Sequence, residues 1–112
     1  MKSILVKDKD PRDILELQQS LEKSLGKLEF KVSSKSKEVT ESVIKLKPDL
    51  VLLVAILTDV YVIQTINILK ENILTRNIPI IIIKDGETDN NLLQELLESG
   101  ADAFISKPID VV

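Results

Sequence analysis

Lys47-Pro48-Asp49-Leu50-Val51-Leu52-Leu53-Val54-Ala55 leads into the longest apolar run of the chain, which starts at Leu50 and continues to Leu57. A strand with one wet face alternates apolar and polar residues, and this stretch does not alternate. Apolar side chains pointing both ways fit a strand covered on both faces, as in a parallel sheet under helices. The run is also too short to cross a bilayer, which takes about 20 apolar residues in a helix. Outward from this predicted strand, Leu50–Ala55, lie four further short runs rich in β-branched residues: Ser3–Lys7, Leu28–Val32, Pro79–Ile83 and Ala103–Ser106.

The segments between them have helical spacing. Apolar residues recur at three and four positions within Ile14–Leu25, Lys37–Leu46, Val62–Leu74 and Asn91–Glu98, which builds one apolar face on each. The boundaries agree. Asp10 is placed to cap the first helix with Pro11 at its first position, and Gly26 to close it in a left-handed turn. Ser36 is placed to cap the second, with Pro48 beyond its end. Thr88 or Asp89 is placed to cap the fourth, and Gly100 to end it. In the third segment Val60-Tyr61-Val62-Ile63 has strand-like propensity, while spacing and length argue for helix. The order βαβαβαβαβ predicts an α/β domain over residues 1–112, with a parallel sheet between helical layers, because each parallel crossover needs a helix. No internal repeat, linker or low-complexity segment interrupts it.

Composition narrows the chemistry. The 112 residues are 44% hydrophobic, which argues against disorder, and with three aromatic residues the core must be Ile, Leu and Val. The net charge of −3, mixed in sign along the chain, gives no basic footprint for nucleic acid. There is no cysteine, hence no disulfide or thiolate chemistry, and no histidine, which removes the usual general base and zinc ligand. No glycine-rich phosphate loop follows the first strand. Lys7 interrupts the opening apolar run too early for a signal peptide, so a cytoplasmic protein without membrane attachment is expected.

In an open parallel sheet, ligands gather beyond the carboxyl ends of the strands. Those positions here form a rim of Asp and Lys: Lys7 to Asp10, Val54 to Asp59, Lys84 and Asp85, and Ser106 to Pro108. At this rim the chain resembles the receiver domains of response regulators. Ile4-Leu5-Val6-Lys7-Asp8-Lys9-Asp10-Pro11 is similar to the receiver opening, with its acidic pair before a proline. Lys47 to Leu53 is similar to the third receiver strand, Ile78 to Ile83 to the fourth, and Gly100 to Pro108 to the fifth. The four pieces occur in order at receiver spacing across essentially the whole chain. The resemblance implies a flavodoxin-like three-layer sandwich with sheet order 2-1-3-4-5. It also implies phosphorylation of an aspartate at the end of the third strand, assisted by magnesium held by the acidic pair. A Thr or Ser after the fourth strand and a Lys after the fifth would bind the phosphoryl group.

Residue by residue, that pocket is altered. Lys107 matches the fifth-strand lysine and Asp8 one of the acidic pair, but the partner of Asp8 is Lys9, the acceptor position is Val54 and the Thr/Ser position is Lys84. Valine has no oxygen to phosphorylate or to ligate magnesium, which demands near-octahedral oxygen ligation. Unit charges about 4 Å apart interact by ~4 kcal/mol at an effective dielectric near 20, so Lys9, Lys84 and Lys107 oppose a dication. Asp8, Lys9, Val54, Lys84 and Lys107 are therefore read as a decayed phosphorylation pocket, with no catalytic residue, metal or cofactor. Asp10 reads as a helix cap, and Asp59 lies five residues past the acceptor position. Phe104 falls where receivers carry a switch aromatic; ordinary packing at the edge of the core is its plainer reading.

Receivers continue past Lys-Pro into a fifth helix beside the first. With Val112 four residues after Pro108, that helix is expected to be missing or truncated. The face beside helix one would then be under-covered and open to a homodimer partner or a fused output domain. The expected function is a receiver-like signalling module, not an enzyme, acting by phosphorylation-independent contact with a signalling partner. The alternatives are a receiver phosphorylated on a non-standard residue and a module that binds a small anion at the lysine rim.

Overall fold

The computed structural model describes residues 2–7, 11–33, 36–55, 61–84 and 90–106. Their order is β1 (Lys2–Lys7), α1 (Pro11–Leu25), β2 (Leu28–Ser33), α2 (Ser36–Leu46), β3 (Leu50–Ala55), α3 (Tyr61–Glu71), β4 (Ile80–Lys84), α4 (Asn90–Glu98) and β5 (Ala103–Ser106). All strands pair in parallel in the order β2-β1-β3-β4-β5. This is the flavodoxin-like arrangement, with four helices among the described residues. Residues 107–112, where a fifth helix would begin, lie outside them.

Non-alternation in β3 has the meaning expected of it. Val51 and Leu53 enter one core layer with Leu5, Ile80 and Ile82 of neighbouring strands and Val43, Ile66 and Leu96 of the helices. Leu52 and Val54 enter a second layer, with Ile4, Val6 and Ile83 of the sheet and Leu17 of α1. Each of these side chains is at least nine-tenths buried. Full burial of one such side chain contributes about 1.5–3 kcal/mol, so β3 is the strand that ties the two layers together.

Helix ends follow backbone chemistry. Gly26 closes α1 at φ +81°, its amide donating to the Glu22 carbonyl at 3.0 Å. Gly100, at φ +122°, ends α4 in a Schellman motif: its amide donates to Leu97 and that of Ala101 to Leu96. Lys47 plays the same part for α2 at φ 47°, donating to the Val43 carbonyl before the buried Pro48. The third helix departs from its predicted span of Val62–Leu74 and stops at Glu71. Asn72 is the cause. Its side-chain oxygen accepts from the Leu74 amide at 2.9 Å, and its carbonyl from the amides of Thr75 and Arg76, so the chain turns there. Ile73, assigned by its spacing to the apolar face, is consequently 72% exposed. The fourth strand is also shifted from Pro79–Ile83 to Ile80–Lys84, because Lys84 pairs with Ala55 and Ser106. Pro79 stays outside the strand and accepts a bond from the Val51 amide.

Candidate functional site

The rim at the carboxyl edge of the sheet is built by the last residues of the strands. Register sets Lys7 between Ser33 and Leu53, Val54 beside Ile83, and Ala55 beside Lys84, which in turn neighbours Ser106. Side chains alternate along a strand, so Val54 shares its face with Val6, Leu52 and Ile83. Lys84 belongs to the opposite face, in phase with Ile82. The two candidate pocket residues are thus one register row apart and directed to different layers. Asp8, Lys9 and Lys107 lie outside the described residues, as do Asp10 and Asp59.

Val54, at the position where the resemblance implies the acceptor, is 4% exposed and packed in the apolar layer under α1. Lys84 is half-buried at the end of β4. Among the described residues no three His, Cys, Asp or Glu side chains are grouped to hold a metal. The residues at the positions implied for magnesium do not suit it: Val54 offers no oxygen and Lys9 brings a positive charge. Phe104 is 44% exposed on the edge strand β5, in register with Ile82.

One rim residue was not singled out by sequence reasoning. Lys7 is 2% exposed, and its register neighbour Ser33 is 5% exposed; both are engaged in interactions. The signal was available, since Lys7 is in phase with the core residue Leu5 and so points inward. A buried ammonium is held there only if it is paired, because its desolvation costs several kcal/mol, roughly, otherwise.

The receiver-like motifs at the opposite, amino edge have structural duties that the geometry makes plain. Asp49 accepts from the Ser3 amide at 2.8 Å while its own amide donates to the Ser3 carbonyl at 2.9 Å, which fastens β3 to β1. The Ser3 amide holds the Asp49 carboxyl below its usual range, over an opposing desolvation and with help from the Lys2 charge. Asp102 does the same for β4 and β5: it accepts from the Ile80 amide at 2.8 Å and from Lys70 Nζ at 3.1 Å. Burial pushes its carboxyl up, but the Ile80 amide and Lys70 outweigh that and the net shift is downward. Lys70 also donates to the carbonyls of Arg76 and Ile78, and its stem lies so close to Gly100 that a Cβ there would stand 2.7 Å from Lys70 Cγ.

Comparison with solved structures finds the same architecture repeatedly. A response regulator from Hahella chejuensis superposes with a TM-score of 0.85 at 19% identity, covering 96% of this chain and 80% of that one. The receiver domain of a signal transduction histidine kinase from Syntrophus aciditrophicus gives 0.80 at 24% identity, covering 98% and 81%. The receiver domain of a DNA-binding response regulator from Colwellia psychrerythraea gives 0.81 at 24%, covering 98% and 89%. Comparison with curated protein sequences finds no significant match. The sequence model of the response regulator receiver domain matches residues 4–112. With the strand order and the amino-edge motifs already in place, that match over nearly the whole length assigns the chain to the response regulator receiver domain family.

Proposed function

We propose that this receiver domain signals without phosphorylation at the usual position, through contacts with a protein partner or a fused output domain. The observation that carries this is Val54, an oxygen-free side chain buried in an apolar layer where the family resemblance places the phosphoacceptor. A second pattern supports it. Asp49 and Asp102 fasten strands at the amino edge, whereas at the carboxyl edge, where Asp8 and Lys107 match the resemblance, the other three chemical positions are Lys9, Val54 and Lys84. The domain is therefore not an enzyme in this reading, and neither metal nor cofactor serves it. It acts in the cytoplasm, away from nucleic acid and membrane; among the described residues no helix is long and apolar enough to cross a bilayer.

Incubation with a small phosphodonor and magnesium, read by intact mass, tests the proposal. An unchanged mass is expected. Gain of one phosphoryl group, mapped to any residue of the carboxyl edge, would replace this reading with that of a switch using a non-standard acceptor. A rise in melting temperature with phosphate, sulfate or small carboxylates would favour an anion-binding module instead.

A further inference from the structure

Hydrogen bonds fix which main-chain groups of β2 face out of the sheet. The Ser3 amide and carbonyl both turn to Asp49 on the β3 side, so Ile4 and Val6 turn theirs toward β2. Ile4 pairs with Phe30 and Val6 with Val32, and in a parallel pair the residue opposite one that faces it turns its own groups away. Leu28 agrees: its amide leaves the sheet for Glu22 Oε2 at 3.1 Å. The outward groups are therefore those of Leu28, Phe30 and Val32. On this edge Val32 is 52% exposed, and Glu29 and Lys31 flank Phe30, both exposed. Charges on an edge strand discourage pairing with most chains. Here they are opposite in sign and stand on either side of one residue.

That spacing makes the edge complementary to itself. With a second β2 running antiparallel and Phe30 opposite Phe30, Glu29 of each copy stands opposite Lys31 of the other, in non-hydrogen-bonded pairs with Cα atoms about 4.5 Å apart. The two Phe30 residues exchange hydrogen bonds, and each Val32 amide donates to a Leu28 carbonyl, which leaves the Leu28 amide on Glu22. Other registers fail. An axis at Lys31 sets Lys31 against itself, and one at Glu29 sets Glu29 against itself and Lys27 against Lys31. An axis at Leu28 needs the amide that Glu22 holds, and one at Val32 separates Glu29 from Lys31. We infer that β2 pairs with β2 of a second copy in the Phe30-centred register, which extends the five-stranded sheet across an isologous two-fold interface. One pair of six-residue strands falls below the about 1,200 Å² of stable complexes, so the association is weak and follows concentration. The inference does not depend on how the carboxyl edge has changed.

The chain has no cysteine, so introduced ones report the register directly. A mixture of Glu29→Cys and Lys31→Cys chains sets two cysteines opposite each other, within the about 4.4–6.8 Å Cα range of a disulfide. Cysteines at the same position of both copies stand two positions out of register and beyond about 7 Å. Oxidation at high protein concentration is expected to give covalent dimers from the mixture and not from either chain alone. Sedimentation velocity of the unaltered chain should show dimer increasing with concentration. Lys31→Glu should weaken that dimer by roughly tenfold, because both charge pairs become repulsive, and Glu29→Lys should do the same. Combining the two substitutions exchanges the charges and should restore the dimer, with the circular dichroism unchanged throughout. Equal cross-linking of the mixture and the single chains, a strict monomer at every concentration, failure of the exchanged pair to restore association, or a dimer indifferent to these charges (for example one formed across the face beside α1) would overturn the inference.

Discussion

Replacing Val54 by aspartate restores the family's acceptor chemistry on paper and tests what the structure makes of that position. Val54 is 4% exposed among Val6, Leu52 and Ile83. Losing its burial costs about 2 kcal/mol. Leaving a carboxyl group in the same apolar layer without a partner adds about 1–3 kcal/mol. A destabilisation of about 3–5 kcal/mol follows, a large share of the 5–15 kcal/mol, roughly, that such a domain has. With a urea m-value near ~1.5 kcal/mol/M, the unfolding midpoint falls by about 2–3 M. The pH dependence has a definite sign. Burial raises the introduced carboxyl's folded pKa above its unfolded value, so the protonated form is the one the fold tolerates. Any stability it retains is therefore fullest below the unfolded pKa of about 3.9 and is lost as pH rises through the folded value. Urea unfolding followed by circular dichroism at pH 5 and pH 8 should show a larger deficit at pH 8. If Val54→Asp matches the unaltered chain at pH 8, the site is hydrated and open, and the apolar-plug argument fails.

Other expectations concern the amino edge and the turns. Asp102→Asn removes a carboxyl whose folded pKa is depressed, a group whose contribution is present above its unfolded pKa and is lost as pH falls through the folded value. The variant's acid unfolding curve should be flatter below about pH 4, and an unchanged acid limb would refute the role given to Lys70 and the Ile80 amide. Gly100→Ala should cost more than Gly26→Ala, about 2–3 against ~1 kcal/mol in thermal or urea melts, because both have positive φ but only Gly100 meets a side chain. Thr75→Val should cost about 1–2 kcal/mol, since the buried hydroxyl donates to the Leu69 carbonyl at 2.6 Å and the carbonyl loses that donor. Equal stability of the two proteins would mean that Asn72 alone holds the turn after α3.

Much of the architecture was legible because it rests on local periodicity. Runs such as Leu50–Ala55 and the three-and-four spacing of Val39, Val43 and Leu46 state strand and helix without reference to anything distant. The end of α3 was not legible in the same way. Ile73 keeps helical phase, and what overrides it is a side-chain bond from Asn72 that competes with the helix for backbone amides. Lys7 shows the reverse case: its phase with Leu5 was readable, yet it was grouped with the rim only by its place at the carboxyl end of the first strand, and its burial was not drawn from that phase.

What the sequence by itself determined is chemical identity at each place: no oxygen at position 54, lysines at 9 and 84, and no histidine or cysteine anywhere. Periodicity added the order of elements. Only the tertiary structure decided which residues share a face, because strand register is set by pairing between segments far apart in the chain. That pairing buried Val54 beneath α1, sent Lys84 to the other layer, and left Phe104 and Ile105 on an uncharged edge.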